Sequence, residues 1–381
     1  MSEKVFYACF DAFPTSKGAS THIQNTCIAL SEVSKQVDLF CLSGGEHSCL
    51  PENVKVHPFY FDDSTGNYLR KATLFSEKIF ACMETVAAEG VAQFRDIWSG
   101  LGMINRPKLK TIFEVNALTS IELPEKYPLL TPKLLEEIRR LEALCLQSCQ
   151  HIVTPSNITK NYLIEEFSIP ENKITVIPNG GDVAEGLPQF NISLPKNYIL
   201  YFGALQPWQG LDVLIKSLHY LRDYEDLSLV ICSSVKEKAN KNFIKLAENI
   251  GVSERLVFYN ELDKATLHHI VRGAKASVSP LKFGLRNITQ GCCPIKVLET
   301  MACKTPLISS EVPVVKELVG DYAYYFWPED EMDLSRCIRF VLDNQNLAKE
   351  KAEYAYERYQ NNFTWQHHNE ELKKVYRNLL S

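Results

Sequence analysis

The sequence of 381 residues contains no apolar run near the roughly 18 residues that a membrane-spanning helix requires, so any membrane contact is expected to be peripheral. No positively charged start followed by an apolar stretch precedes the first strand-like segment, so no secretory leader is read. The twelve cysteines never form Cys-x-x-Cys pairs, and the expectation is reduced thiols in a cytoplasm. Basic excess is also missing. Lys and Arg number 41 against 46 Asp and Glu, a formal net charge of −5, and no basic stripe interleaved with aromatics offers itself to nucleic acid. Neither internal repeats nor low-complexity tracts occur.

What the chain does have is enough length for two or three domains and, at 45% hydrophobic residues, the means to fill their cores. Short β-branched or aromatic runs alternate with longer helical patterns, which predicts an α/β fold with parallel sheets. One series runs through Val5–Phe10, a helix from about Thr21 to Ser34, and strands at Val37–Leu42, Ile97–Trp98, Thr111–Val115, His151–Thr154 and Ile174–Pro178. A second restarts at Tyr198–Phe202 and continues through Leu227–Cys232, Val257–Tyr259, Ala276–Ser279 and Pro306–Ser309. Gly180–Lys196, with two prolines and little periodicity, reads as a linker. Two Rossmann-like domains facing across a cleft follow, with ligands expected beyond the carboxyl ends of the strands.

The segment Gly291–Ser310 carries the most chemistry. Pro294 is expected at the first position of a helix ending near Lys304, which places Lys296 and Glu299 in its first turns. A helix N-terminus favours anions. A lysine there makes sense if a phosphate shares the site, bound by backbone N–H groups and neutralised by Lys296.

The runs Ile152–Ser156, Tyr162-Leu163, Lys173–Gly180, Tyr201-Phe-Gly203, Gly210–Leu214 and Val297–Cys303, closed by Phe363-Thr-Trp365 and a last helix containing Tyr376, resemble the family-four retaining glycosyltransferases of the GT-B fold, the glycosyl transferase group 1. The resemblance implies an acceptor-binding domain at 1–180, a nucleotide-sugar-binding domain at 197–362, and a helix at 363–381 that crosses back. It implies hexosyl transfer with retention from a nucleoside-diphosphate sugar to a glycan, lipid or small molecule, with no bound metal and no cofactor beyond the donor. Lys296, Asn116 and Glu299 are then the residues expected to carry the transfer. Glu299 would accept hydrogen bonds from the ribose, and Asn116 stands where members often carry a histidine. The donor site would draw on Gly203, Gln209, Gly210, Arg286, Cys292 and Cys293, with Lys17 and Gly18 on the facing side, and Lys236 and Lys238 carrying less weight. His22, Glu114 and Asn116 would meet the acceptor.

Three departures from the family pattern matter. The first motif glutamate is Gly291, the usual arginine after the Phe-Gly pair is Ala204, and the usual lysine before the second glycine is Gln209. They leave open a catalytically weak or inactive nucleotide-sugar-binding protein and, less favoured, an epimerase. The adjacent pairs His268-His269 and His367-His368 point about 100° apart on a helix and make no two-histidine metal face. Cys145 and Cys149 suit an apolar helix face. The helix near Tyr68–Met83 sets Arg70, Lys71 and Lys78 beside apolar residues. It is read as a helix buried against the sheet, or as a contact with the inner face of a membrane if the acceptor is a lipid.

Overall fold

The computed structural model describes residues 2–45, 50–62, 66–85, 89–183 and 192–380. The interior of the expected linker, residues 184–191, lies outside the described residues. Strands β1 (Ser2–Phe13), β2 (Ser34–Ser43), β3 (Val54–Phe59), β4 (Gly90–Phe94), β5 (Leu109–Glu114), β6 (His151–Thr154) and β7 (Ile174–Val176) form one sheet in the order β3-β2-β1-β4-β5-β6-β7. Strands β8 (Asn197–Phe202), β9 (Leu227–Ser233), β10 (Leu256–Asn260), β11 (Ala276–Ser279), β12 (Leu307–Ser310) and β13 (Tyr324–Phe326) form a second in the order β10-β9-β8-β11-β12-β13. Every pairing is parallel.

The helices of the first domain are α1 (Gly18–Val33), α2 (Tyr68–Thr85), α3 (Ile97–Gly100), α4 (Thr119–Lys126), α5 (Pro132–Ser148) and α6 (Asn157–Phe167). Those that follow are α7 (Leu211–Ser217), α8 (Lys241–Ile250), α9 (Lys264–Gly273), α10 (Ile295–Ala302), α11 (Pro313–Val319), α12 (Glu331–Asp343), α13 (Gln345–Asn362) and α14 (Trp365–Leu380).

Parallel strands covered on both faces read as nearly continuous apolar runs, and β1 shows why. Val5, Tyr7 and Cys9 point into the core that includes α1, while Phe6 and Ala8 point into the core that includes α2. In α2 the residues Ala72, Phe75, Ile79 and Met83 are all 0% exposed, so this apolar stripe is spent inside the domain, while Phe80 stands 53% exposed among the polar residues of the outer side. The chain reverses after α13, where Gly181 N–H donates to the Phe363 carbonyl at 2.8 Å. Helix α14 then packs on α1 of the first domain, with Leu372, Val375 and Tyr376 buried in that core. Each such apolar side chain contributes about 1.5–3 kcal/mol.

Two local readings are corrected. Ile97–Trp98 is the start of α3, because the Asp96 carboxylate caps it by accepting from Ser99 N–H, and the strand lies earlier at Gly90–Phe94. Pro294 is the cap residue of α10 rather than its first helical residue, and the helix ends at Ala302, before Lys304 turns into the left-handed region at φ 55°.

Candidate active site

The carboxyl ends of both sheets open onto one cleft of about 1060 Å³, at the upper end of a pocket for one small ligand. On the second domain's side, Phe202 leads into Gly203–Gly210, and α10 brings Lys296 against that loop. Val297, Leu298, Met301 and Ala302 bury the other side of α10 and fix its angle. Lys296 Nζ donates to Gln209 Oε1 and lies 4.5 Å from the centre of the Tyr201 ring. A Cβ on Gly203 would come within 3.2 Å of Lys296 Cε, so the lysine lies directly over that glycine. Burial, reinforced by Arg286, pulls the Lys296 ammonium down to about 7. An amine so poised holds its proton most firmly once an anion arrives.

Two glycines are required here. Gly210 has φ 69°, and a Cβ on it would fall 1.7 Å from the Pro280 carbonyl oxygen. Gly291 has φ 85°, and its Cβ would lie 2.7 Å from Thr159 Oγ1 and 2.9 Å from Ser156 Oγ. A glutamate therefore cannot occupy the position eight residues before Glu299. Cys292, Cys293 and Glu299 line the same wall. Gly18, at the start of α1, faces it closely, since a Cβ there would sit 3.5 Å from Ile295 Cδ1. The N-termini of α1 and α10 thus converge across the cleft, with Lys17 exposed at the rim.

On the first domain's side the expected contacts divide. Asn116 is half-buried and lines the cleft. Glu114 and His22, expected to meet an acceptor, are only 3% and 4% exposed, and of the two only His22 lines the cleft. Glu114 ends a central strand beneath the surface, and its carboxylate accepts from Tyr7 OH at 3.1 Å, Gln93 Nε2 at 2.7 Å and Asn116 Nδ2. His22 Nε2 lies 2.7 Å and Arg95 Nε 3.0 Å from the same carboxylate. Burial alone would raise Glu114. His22 and Arg95 overturn this and hold it well below the usual carboxylate range. The His22 ring packs edge-on against Trp365 and His368 of α14. Burial, with His22 beside it, pushes His368 down to about 4 and keeps it neutral.

Arg286, expected on the donor phosphate, lines the cleft and is paired across it with Glu122 of α4 at 2.6 Å. Trp208 carries Arg286 at 5.6 Å and Lys126 at 5.7 Å from its ring centre, so loops of both domains meet on this indole. Lys236 and Lys238 do not line the cleft. His268 finds its neighbour in Glu299 at 3.7 Å rather than in His269. With Asp182, these residues bring one ring nitrogen and two carboxylates within 4.8 Å, a set that could hold a cation and that the spacing of adjacent histidines did not reveal. Phe10, Asp11, Tyr68, Asp96 and Trp98 complete the first domain's wall and were not anticipated. Asp96 showed one signal, standing three residues before Ser99 in the manner of a helix cap.

Two parallel, Rossmann-like sheets facing over a cleft lined by helix N-termini, with a last helix returning to the first domain, define a GT-B protein. Residues 184–358 match the model for glycosyl transferases group 1, and residues 16–185 match that for glycosyltransferase family 4. The chain belongs to the group 1 glycosyltransferases. It is similar to the O-antigen chain mannosyltransferase RfbU of Salmonella typhimurium, 24% identical over 203 residues, which is 53% of this chain and 54% of that protein. It is also similar to a Mycobacterium tuberculosis glycogen synthase, 26% identical over 60% of this chain and 54% of that protein. The chain thus spans about half the length of these curated relatives. Among solved structures, the sucrose-phosphate synthase of Thermosynechococcus elongatus superposes with a TM-score of 0.82 over 99% of both chains at 17% identity. Anabaena HepE, solved with UDP and glucose, gives 0.74 over 98% of this chain and 99% of that one at 14% identity.

Proposed function

We propose that this protein transfers a sugar, with retention, from a nucleoside-diphosphate sugar held against the second domain to an acceptor held against the first. The observation that carries this is Lys296, an amine enclosed between Tyr201, Gly203 and Gln209 at the start of α10, with its affinity for protons lowered until an anion joins it. A departing diphosphate gathers negative charge while the sugar becomes oxocarbenium-like. Fixed positive groups aimed at that charge lower the barrier. Lys296 and the convergent starts of α1 and α10 supply them. Lys296 thereby stands in for the phosphate-binding residues missing at Ala204 and Gln209, and Gln209 itself positions the lysine.

Glu299 takes the ribose hydroxyls, and Asn116 meets the transferred sugar. The aromatic wall of Phe10, Tyr68 and Trp98 beside Asp11 suits a sugar ring or another polar ring as acceptor. The described cysteines are all free thiols, which supports a cytoplasmic site of action. No helix among the described residues is long and apolar enough to cross a membrane. If the acceptor is a lipid, contact with the inner face of a membrane would rest on charges such as Arg70 and Lys78 and on the exposed Phe80, because the stripe Ala72, Phe75, Ile79 and Met83 of α2 is buried. A thermal-shift panel of uridine, guanosine and adenosine diphosphates and their sugars tests the donor reading, since a ligand at 100 times its Kd stabilises by about 2.7 kcal/mol. Stabilisation by none of them would reject it. NMR of the product's anomeric proton tests retention.

A further inference from the structure

We infer that Glu114 is a positioning residue for the transfer, holding the Asn116 amide in one orientation with its oxygen free for the substrate. The sugar group docked there is then favoured when it gives a hydrogen bond, as a free hydroxyl or N–H does. This rests on the nucleotide-sugar reading of the cleft and adds to it a polarity that substrates must match.

The inference follows from counting donors. Asn116 Nδ2 donates to Glu114 Oε1. The same carboxylate accepts from Tyr7 OH of β1 and Gln93 Nε2 of β4, and it is ion-paired with the His22 ring of α1 and the Arg95 guanidinium that follows β4. Every neighbour is a donor or a cation, so Glu114 is an ionised, acceptor-only group. Gln93 cannot turn over either, because Tyr376 OH of α14 donates to its Oε1 at 2.9 Å. A flipped Asn116 would set its own oxygen against the carboxylate, a contact between two acceptors in a buried place. The amide therefore has one orientation. Its oxygen accepts nothing from the described protein residues, while the residue lines the cleft. A histidine at this position could offer either a donor or an acceptor by changing tautomer, but the locked amide keeps its oxygen as the acceptor, with one N–H of Nδ2 committed to Glu114 and one left. A sugar group with no proton to give leaves that oxygen without its partner.

The test is equilibrium binding of UDP-glucose and GDP-mannose, with their monodeoxy and mono-O-methyl analogues, to the parent and to Asn116→Ala, Asn116→Asp and Glu114→Gln. One deoxy position should cost the parent about fivefold, the worth of one neutral hydrogen bond, and cost Asn116→Ala nothing further. Nucleoside diphosphate without sugar should bind the parent and Asn116→Ala alike, which a general loss of structure would not allow. Asn116→Asp places a second carboxylate against Glu114, so its sugar-dependent affinity should fall at pH 8. It should recover at pH 5, where one shared proton restores a donor toward Glu114 and a carbonyl toward the cleft. The parent, which shares His22, Arg95, Tyr7 and His368 around this pair, is the control over the same range. Glu114→Gln frees the amide to turn and should narrow the preference for hydroxyl over methyl ether. If that variant does not fold, the pH series of Asn116→Asp still decides. Equal deoxy penalties in parent and Asn116→Ala, or an Asn116→Asp profile parallel to the parent's, overturn the positioning role while leaving the donor reading intact. A parent that binds no nucleoside diphosphate at all overturns both.

Discussion

On the proposed reading of the cleft, Lys296 makes nucleotide binding a proton-linked event. In the free site its ammonium is held near 7 rather than at the ordinary 10.5, by burial and by Arg286. A bound diphosphate supplies the missing counter-charge and returns the pKa toward its ordinary value. Between about pH 7 and the bound-state value, the complex holds more protons than the free protein, so binding takes up a proton and affinity falls as pH rises. The limit is about tenfold per pH unit, or about 1.4 kcal/mol. Nucleoside-diphosphate Kd should thus rise almost tenfold from pH 7.5 to 8.5. Calorimetry at pH 8.5 in buffers of different ionisation enthalpy should report close to one proton taken up. Lys296→Arg, which cannot deprotonate, should flatten the pH dependence and abolish the uptake. A Kd that is level across this range with no proton uptake would refute the reasoning. The same lowered pKa acts on stability with a definite sign. The unfolded chain protonates this lysine below its ordinary 10.5 and the folded chain only below about 7. Its destabilising effect therefore grows as pH falls through that window and is complete below it. Lys296→Met should raise the Tm of the ligand-free protein more at pH 6 than at pH 10.

Other outcomes follow from the same geometry. Glu299→Gln should weaken nucleoside-diphosphate binding by about 1–2 kcal/mol, the difference between a charge-assisted and a neutral hydrogen bond, and unchanged nucleotide affinity with lost turnover would move Glu299 to the sugar. Gly210→Ala should destabilise the second domain by about 2–5 kcal/mol in denaturant unfolding, because left-handed backbone strain and a clash with the Pro280 carbonyl act together. Glu122→Gln severs the pair with Arg286 across the cleft, and small-angle scattering should record a larger radius of gyration for the ligand-free variant that returns to the parent's value at saturating donor. EDTA should leave turnover within about twofold, about 0.4 kcal/mol, since Lys296 and two helix starts meet the leaving group; a loss restored by a divalent cation would put that ion on Asp182, His268 and Glu299.

Where local pattern decided structure, the sequence was readable to the residue: β6 (His151–Thr154) and β11 (Ala276–Ser279) are short segments of β-branched and small residues, each followed by a proline, and both fall where expected. Ile97–Trp98 misled because two apolar residues fit a strand or a helix start equally, and only Asp96 two and three residues ahead of Trp98 and Ser99 separates the cases. β3 and β13 escaped because the first contains Pro58 and the second is three residues long, both at sheet edges. In the site, the place of Lys296 and Glu299 on the cleft wall was legible because both lie in the first turns of one helix. Glu122 and Arg286 stand 164 residues apart, and nothing local marks them as partners. Glu114 looked like a cleft carboxylate at the end of a strand. Its burial depends on α1 and the returning α14, whose side chains close over it.

In the proposed reaction this cleft releases a nucleoside diphosphate from its sugar with Lys296 meeting the departing charge. Release of nucleoside diphosphate from the donor that binds, followed in parent, Lys296→Ala and Lys296→Arg with a panel of sugar acceptors, tests it most directly. Acceptor-dependent release by the parent, a loss of about a hundredfold or more in Lys296→Ala, and partial retention in Lys296→Arg are expected. A parent that binds donor yet releases nothing with any acceptor, or a Lys296→Ala variant within about twofold of the parent, would contradict it.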